Sequence, residues 1–129
     1  MEKRRFSLRN RWHSFGYALN GIREMMGHEH SAWLHSIIAV CTVVAGFLLD
    51  ISKMEWVAVV IVIGAVLATE AINTAIERMG DLVSPEFSKD MKCIKDLAAG
   101  GVLLMAIAAA VVGGIIFFPK LASFVHIYD

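Results

Sequence analysis

Residues 56–81, WVAVVIVIGAVLATEAINTAIERMGD, decide how the rest of this chain is read. No charge occurs from Trp56 to Thr69; then Glu70, Asn73, Glu77 and Asp81 follow at spacings of three, four and four. At about 100° per residue the four positions fall within roughly 80° of arc, so one stripe of one helix carries them all. The helix is otherwise apolar enough to lie in a membrane. Ionisable groups at membrane depth are costly and persist where they do chemistry or line a polar path. The stripe is the candidate functional core.

Two further stretches flank it. The sequence predicts membrane spans at 32–49, 56–80 and 97–119, each near the ~20 apolar residues a bilayer requires. The first carries only His35 as an ionisable group, and the third has no charged residue. Asp50 to Glu55 reads as a tight turn, and residues 82–95, with Ser84-Pro85, as a polar loop. Ahead of the first span, Trp12, Phe15, Tyr17, Leu19, Ile22 and Met26 mix with Arg9, Arg11 and Arg23, which predicts an amphipathic surface helix over 11–26; residues 1–8 suit a disordered basic tail. The fold class is therefore all-α integral membrane in a single domain spanning residues 1–129.

The formal net charge of zero conceals an asymmetry. Six Lys/Arg precede the first span and Arg78, Lys89, Lys92 and Lys95 flank the second loop, against Lys53 and Lys120 on the other side. The positive-inside rule places the N-terminus and that loop in the cytoplasm, where ATP is. Small residues, among them Gly100, Gly101, Ala106, Gly113 and Gly114, leave the third span thin enough for close helix contact. Three helices scarcely enclose a polar stripe, so a homo-oligomer is expected.

An apolar content of 57% exceeds what a water-soluble fold of 129 residues can cover. Cys41 and Cys93 lack a paired spacing, which argues against a disulfide framework or a zinc site. Neither a GxxxxGK[ST] loop nor an HExxH motif is present. The first apolar run begins near Ala32, too late for a secretory signal, so no cleaved segment is expected. Trp12, Trp33 and Trp56 read as interface anchors. His28 and His30 flank Glu29 but fall on different helix faces, and His35 reads as a headgroup contact or a packing residue.

The chemistry open to the stripe follows from depth. Glu77 and Asp81 sit one turn apart near the cytoplasmic end, and Glu29 lies at the same level before the first span. Mg²⁺ is usually held by one or two carboxylates together with substrate phosphates. Glu70 lies two turns, about 10 Å, deeper than Glu77. There it meets a lipid headgroup and can take a proton from a hydroxyl. Asn73, between them, offers both a donor and an acceptor. A small oligomeric channel or transporter is the alternative, but it would need acidic residues across the whole membrane.

The block Glu70-Ala71-Ile72-Asn73-Thr74-Ala75-Ile76-Glu77-Arg78-Met79-Gly80-Asp81, followed by Lys95-Asp96-Leu97-Ala98-Ala99-Gly100, resembles the prokaryotic diacylglycerol kinase family, which includes undecaprenol kinases. Phe15-Gly16-Tyr17-Ala18-Leu19-Asn20-Gly21 and the Glu29 region resemble it too. The resemblance implies a homotrimer of three-span protomers with an N-terminal surface helix, sites shared between subunits, and transfer of the γ-phosphate of ATP to a lipid alcohol. It implies Glu70 as general base, Glu29 and Glu77 as ligands of the Mg²⁺ bound to ATP, and Asn73 and Asp81 as active-site polar residues. Tyr17, Lys95 and Asp96 match nucleotide contacts, and Glu86 and Ser88 fall in the nucleotide-side loop. Many members have His where Ser88 stands, and some have an ATP-binding Arg where Asn10 stands. The implied location is the bacterial inner membrane.

Overall fold

A computed structural model describes residues 6–128. Four helices follow in order: α1 (Leu8–His28), α2 (His30–Leu48), α3 (Lys53–Val83) and α4 (Lys89–Tyr128). No strand occurs among the described residues. Helices α2, α3 and α4 are each long and apolar enough to cross a membrane. Part of the predicted basic tail, residues 1–5, lies outside the described residues.

The turn between α2 and α3 is built from local chemistry. Asp50 takes a left-handed φ of 51°, a conformation that short polar side chains tolerate. Ile51 then folds under, its N–H donating to the Gly46 carbonyl at 3.1 Å and its side chain buried. Ser52 caps α3 reciprocally: its Oγ accepts from the Glu55 N–H at 3.2 Å, and Glu55 Oε1 accepts from the Ser52 N–H at 3.0 Å. Lys53 to Glu55, expected in the turn, are therefore already helical, because the cap sits at Ser52. Gly46 is required here: a Cβ on it would stand 2.7 Å from Trp56 Cη2. Trp56, expected only as an interface anchor, packs across the hairpin on Phe47 with ring centroids 4.8 Å apart. Ile51, Val59 and Ile116 close a small apolar core at this end.

The connection from α3 to α4 is shorter than the sequence suggested. Residues 82–83 complete α3 and α4 begins at Lys89, so only residues 84–88 are non-helical. Ser88 starts α4 by accepting the Met91 N–H on its Oγ at 3.3 Å, an N-cap. Lys92 and Asp96 pair at 2.6 Å along the same face, the spacing that supports helix over loop. The segment is polar because it precedes the apolar part of a helix some 60 Å long, twice the thickness of the hydrocarbon. Helix α3 packs mainly along α4, and Gly80 brings them close, since a Cβ there would meet Lys95 Cε at 2.7 Å and Met91 Sδ at 2.9 Å. At the opposite end Lys120 Nζ lies 3.5 Å from Glu55 Oε1.

Candidate active site

Glu70 is the most deeply buried charged side chain described, at 1% exposure. It lies where α2 and α3 run side by side. Ser31 Oγ of α2 donates to Glu70 Oε1 at 2.6 Å, and His35 Nε2 lies 3.6 Å from Oε2. Oε2 itself has no hydrogen-bond partner, and neither has the buried Oδ1 of Asn73, one turn along the same stripe. Two orphaned acceptors on one helix face are unusual, since nearly all buried polar atoms are paired. They leave an opening for a group that donates hydrogen bonds. His35, expected to touch headgroups or pack, instead faces the deep carboxylate because α2 and α3 are antiparallel neighbours. It also borders an apolar cavity of about 290 Å³ between α2, α3 and α4, lined by Ile38, Thr42, Val66 and Gly113 among others.

Two turns nearer the loop, Lys95 joins the stripe to α4. Its Nζ lies 2.5 Å from Asp81 Oδ1 and 3.9 Å from Glu77 Oε2. Lys95 precedes the charge-free stretch of α4, residues 97–119, in the polar first turns of that helix. The hydrogen bond to Asp81, aided by the charges of Asp81 and Glu77, holds its ammonium above the usual lysine range. A cation is thus held beside residues that lie two to three turns, roughly 10–16 Å, from Glu70 along the helix.

The remaining predicted residues are placed as follows. Glu29 is half-buried and forms the break between α1 and α2, with extended backbone and its N–H donating to the Met25 carbonyl at 3.1 Å. Tyr17 is 75% exposed on α1, and Asn10 lies exposed near its start. Glu86 is exposed in the 84–88 connection, where its carbonyl accepts from Ser84 Oγ at 3.0 Å. Ser88 caps α4, and Asp96 pairs with Lys92. The structure therefore gathers Glu70 with Ser31 and His35, and Glu77 and Asp81 with Lys95. Tyr17, Glu86 and Asp96 lie apart from those two clusters. Sequence reasoning missed Ser31 and also the Glu24–Arg78 bridge at 3.2 Å that ties α1 to α3.

No group of three or more His, Cys, Asp or Glu able to hold a metal occurs among the described residues. A cation completing its shell with phosphate oxygens and water needs fewer. The carboxylates of Glu29 and Glu77 and the unpartnered Asn73 Oδ1 are hard oxygen donors of the type such a cation takes.

The model of the prokaryotic diacylglycerol kinase family matches residues 16–117. The chain belongs to that family. It is similar to the undecaprenol kinase of Bacillus subtilis (strain 168), 36% identical over 108 residues that cover 84% of this chain and 88% of that protein. A diacylglycerol kinase of Synechocystis sp. is 34% identical over 111 residues, covering 85% of this chain and 63% of that protein. A diacylglycerol kinase of Sinorhizobium sp. is 33% identical over 105 residues, covering 81% and 75%. As a member of a lipid kinase family with three spanning helices, the chain is a multi-pass membrane kinase that uses ATP. The channel alternative has no support from these relationships.

Proposed function

We propose that this protein transfers the γ-phosphate of ATP to the hydroxyl of a membrane lipid alcohol, undecaprenol or diacylglycerol. The reading is carried by one observation: a buried carboxylate with a bare oxygen, Glu70 Oε2, lies on an apolar helix two to three turns from the Lys95–Asp81–Glu77 cluster. That combination suits a proton acceptor for a lipid hydroxyl and, further along the helix, a cation for phosphate. The names of the relatives support the choice of acceptors.

Glu70 takes the hydroxyl proton, and the freed oxygen attacks the γ-phosphorus in line with the departing ADP. Phosphoryl transfer asks a protein for alignment and charge neutralisation rather than covalent help. Lys95 neutralises phosphate charge, and Asp81 holds its ammonium in place. Asn73 donates to or accepts from the reactants between the two levels. Glu29 and Glu77 would hold Mg²⁺, which when bound would supply charge neutralisation for the phosphates. Tyr17, Glu86, Ser88 and Asp96 contact the nucleotide from α1 and the cytoplasmic side. The hydrocarbon chain lies in the cavity beside His35, with its hydroxyl toward Glu70.

The protein works as a homotrimer in the bacterial inner membrane with its N-terminus in the cytoplasm. Helix α1 lies on the membrane surface, with the exposed Trp12, Phe15 and Ile22 meeting lipid. Large apolar side chains remain exposed along α2 and α4, more surface than one protomer hides.

The test is phosphate transfer from labelled ATP by the purified chain in detergent micelles, with undecaprenol and diacylglycerol supplied separately. Labelled lipid from at least one acceptor is expected. ATP hydrolysis without labelled lipid, or no turnover on either, would refute the reading.

A further inference from the structure

Ser31 and His35 stand four residues apart and so share one face of α2, and both meet the Glu70 carboxylate. Their grips differ. Ser31 Oγ donates to Oε1 at 2.6 Å, whereas His35 Nε2 stays 3.6 Å from Oε2, which is left with no hydrogen bond. A purely structural polar cluster at 1% exposure would satisfy both oxygens, because leaving one bare costs stability. The half-satisfied arrangement distinguishes the oxygens chemically. Accepting a hydrogen bond stabilises charge on Oε1, while Oε2 keeps its lone pairs free and faces an imidazole.

We propose that Ser31 and His35 are positioning residues for the phosphoryl transfer: Ser31 fixes the carboxylate so that Oε2 presents to the lipid hydroxyl, and His35 receives the hydrogen bond of the acid formed there. The inference rests on the reading of Glu70 as the base. In the step, the lipid O–H bond breaks and its proton passes to Oε2. The lipid oxygen bonds to the γ-phosphorus, and the bond from that phosphorus to the bridging oxygen breaks, its electron pair leaving with ADP. The new Oε2–H then donates to His35 Nε2. No other co-reactant is needed. Rotation of the carboxylate, which would spend Oε2 on the Ser31 hydroxyl, is prevented while Oε1 is held.

The experiment uses the full chain in micelles with saturating lipid alcohol. Ser31→Thr keeps the hydroxyl and Ser31→Val replaces it with a methyl group of similar volume, so comparing them removes packing from the answer. Ser31→Val is expected to lower kcat about 10-fold, with KM for ATP changed less than about 2-fold, while Ser31→Thr stays within about 3-fold of the wild type. His35→Leu is expected to lower kcat similarly, and His35→Gln, which retains an acceptor, to recover part of it. Equal kcat for Ser31→Thr and Ser31→Val, a wild-type rate for His35→Leu, or losses confined to KM for ATP would each overturn the proposal. Glu70→Gln is the control. If it is inactive while Ser31→Val and His35→Leu are unimpaired, the positioning role fails alone; if it is active, the base assignment fails and this inference with it.

Discussion

Lys95 Nζ sits 2.5 Å from Asp81 Oδ1, so the cation that reaches the stripe from α4 is anchored by the helix that carries the stripe. The pairing crosses from α4 to α3 just inside the 84–88 connection, where Gly80 lets the lysine stem lie against the α3 backbone. A short side chain thereby sets where a long flexible one delivers its charge.

Removing that charge is expected to impair phosphate handling. Lys95→Met should lower kcat/KM for ATP by about 100-fold, the scale for a lost transition-state donor. Asp81→Asn leaves the lysine present but loosely held and should cost about 10-fold. Steady-state kinetics over a range of ATP concentrations measure both; equal losses would show that Asp81 does more than orient Lys95.

Gly80→Ala separates geometry from stability. The added methyl meets the ends of flexible side chains, Lys95 Cε and Met91 Sδ, which can swing aside. Alanine also gains about 0.5–1 kcal/mol of helix propensity over glycine. Thermal stability should therefore change little while activity falls about 10-fold as Lys95 is displaced from Asp81. A cooperative loss of folding would show instead that the helix contact itself is tight.

Glu70→Gln should abolish lipid phosphorylation, by at least the 10² to 10⁴-fold typical of a missing general base, while nucleotide affinity changes less than about 3-fold. Calorimetric titration with a non-hydrolysable ATP analogue gives the affinity. A parallel loss of binding would move Glu70 to the phosphate level.

Glu29→Ala and Glu77→Ala should each lower activity in a manner that excess Mg²⁺ partly restores, since phosphate oxygens supply the other ligands. The double variant should lose far less than the product of the single losses. Multiplicative losses insensitive to Mg²⁺ would mean that the two carboxylates serve different ions or none.

Orientation is read by labelling single cysteines in a background lacking Cys41 and Cys93. Because Ser88 caps α4, the exposed Phe87 is the better cytoplasmic reporter. Phe87→Cys and Ser123→Cys should react from opposite sides of sealed inverted vesicles. Reaction of both from one side would break the three-span topology.

The spans and the stripe were legible in sequence because hydrophobic run length and a 3.6-residue period are local properties. Glu70, Asn73, Glu77 and Asp81 could be set on one face without knowing anything about their neighbours. The start of α4 was not legible, since Lys89 to Asp96 is as polar as a loop and only the Ser88 cap and the Lys92–Asp96 pairing mark it as helix. The partners of Glu70 were hidden for a different reason: they depend on how two helices line up. Yet a signal existed. Ser31 stands eighteen residues before Leu49 and Glu70 eighteen after Ser52, so folding α2 onto α3 about the turn at 49–52 brings them level. His35 then falls one turn further along the same face.

The two bridges between α3 and α4, Asp81–Lys95 and Glu55–Lys120, have a mechanical consequence. They are separated by 25 residues of α4, or roughly 37 Å of helix, which exceeds the ~30 Å of hydrocarbon in a typical bilayer. A pair of clasps that far apart can sit one toward each headgroup layer, outside the hydrocarbon. Together they tie α3 to α4 near both ends of their shared length. A bilayer thinner than that span is expected to tilt the two helices as a pair rather than shear them, which would keep the Glu70 carboxylate at its spacing from Lys95.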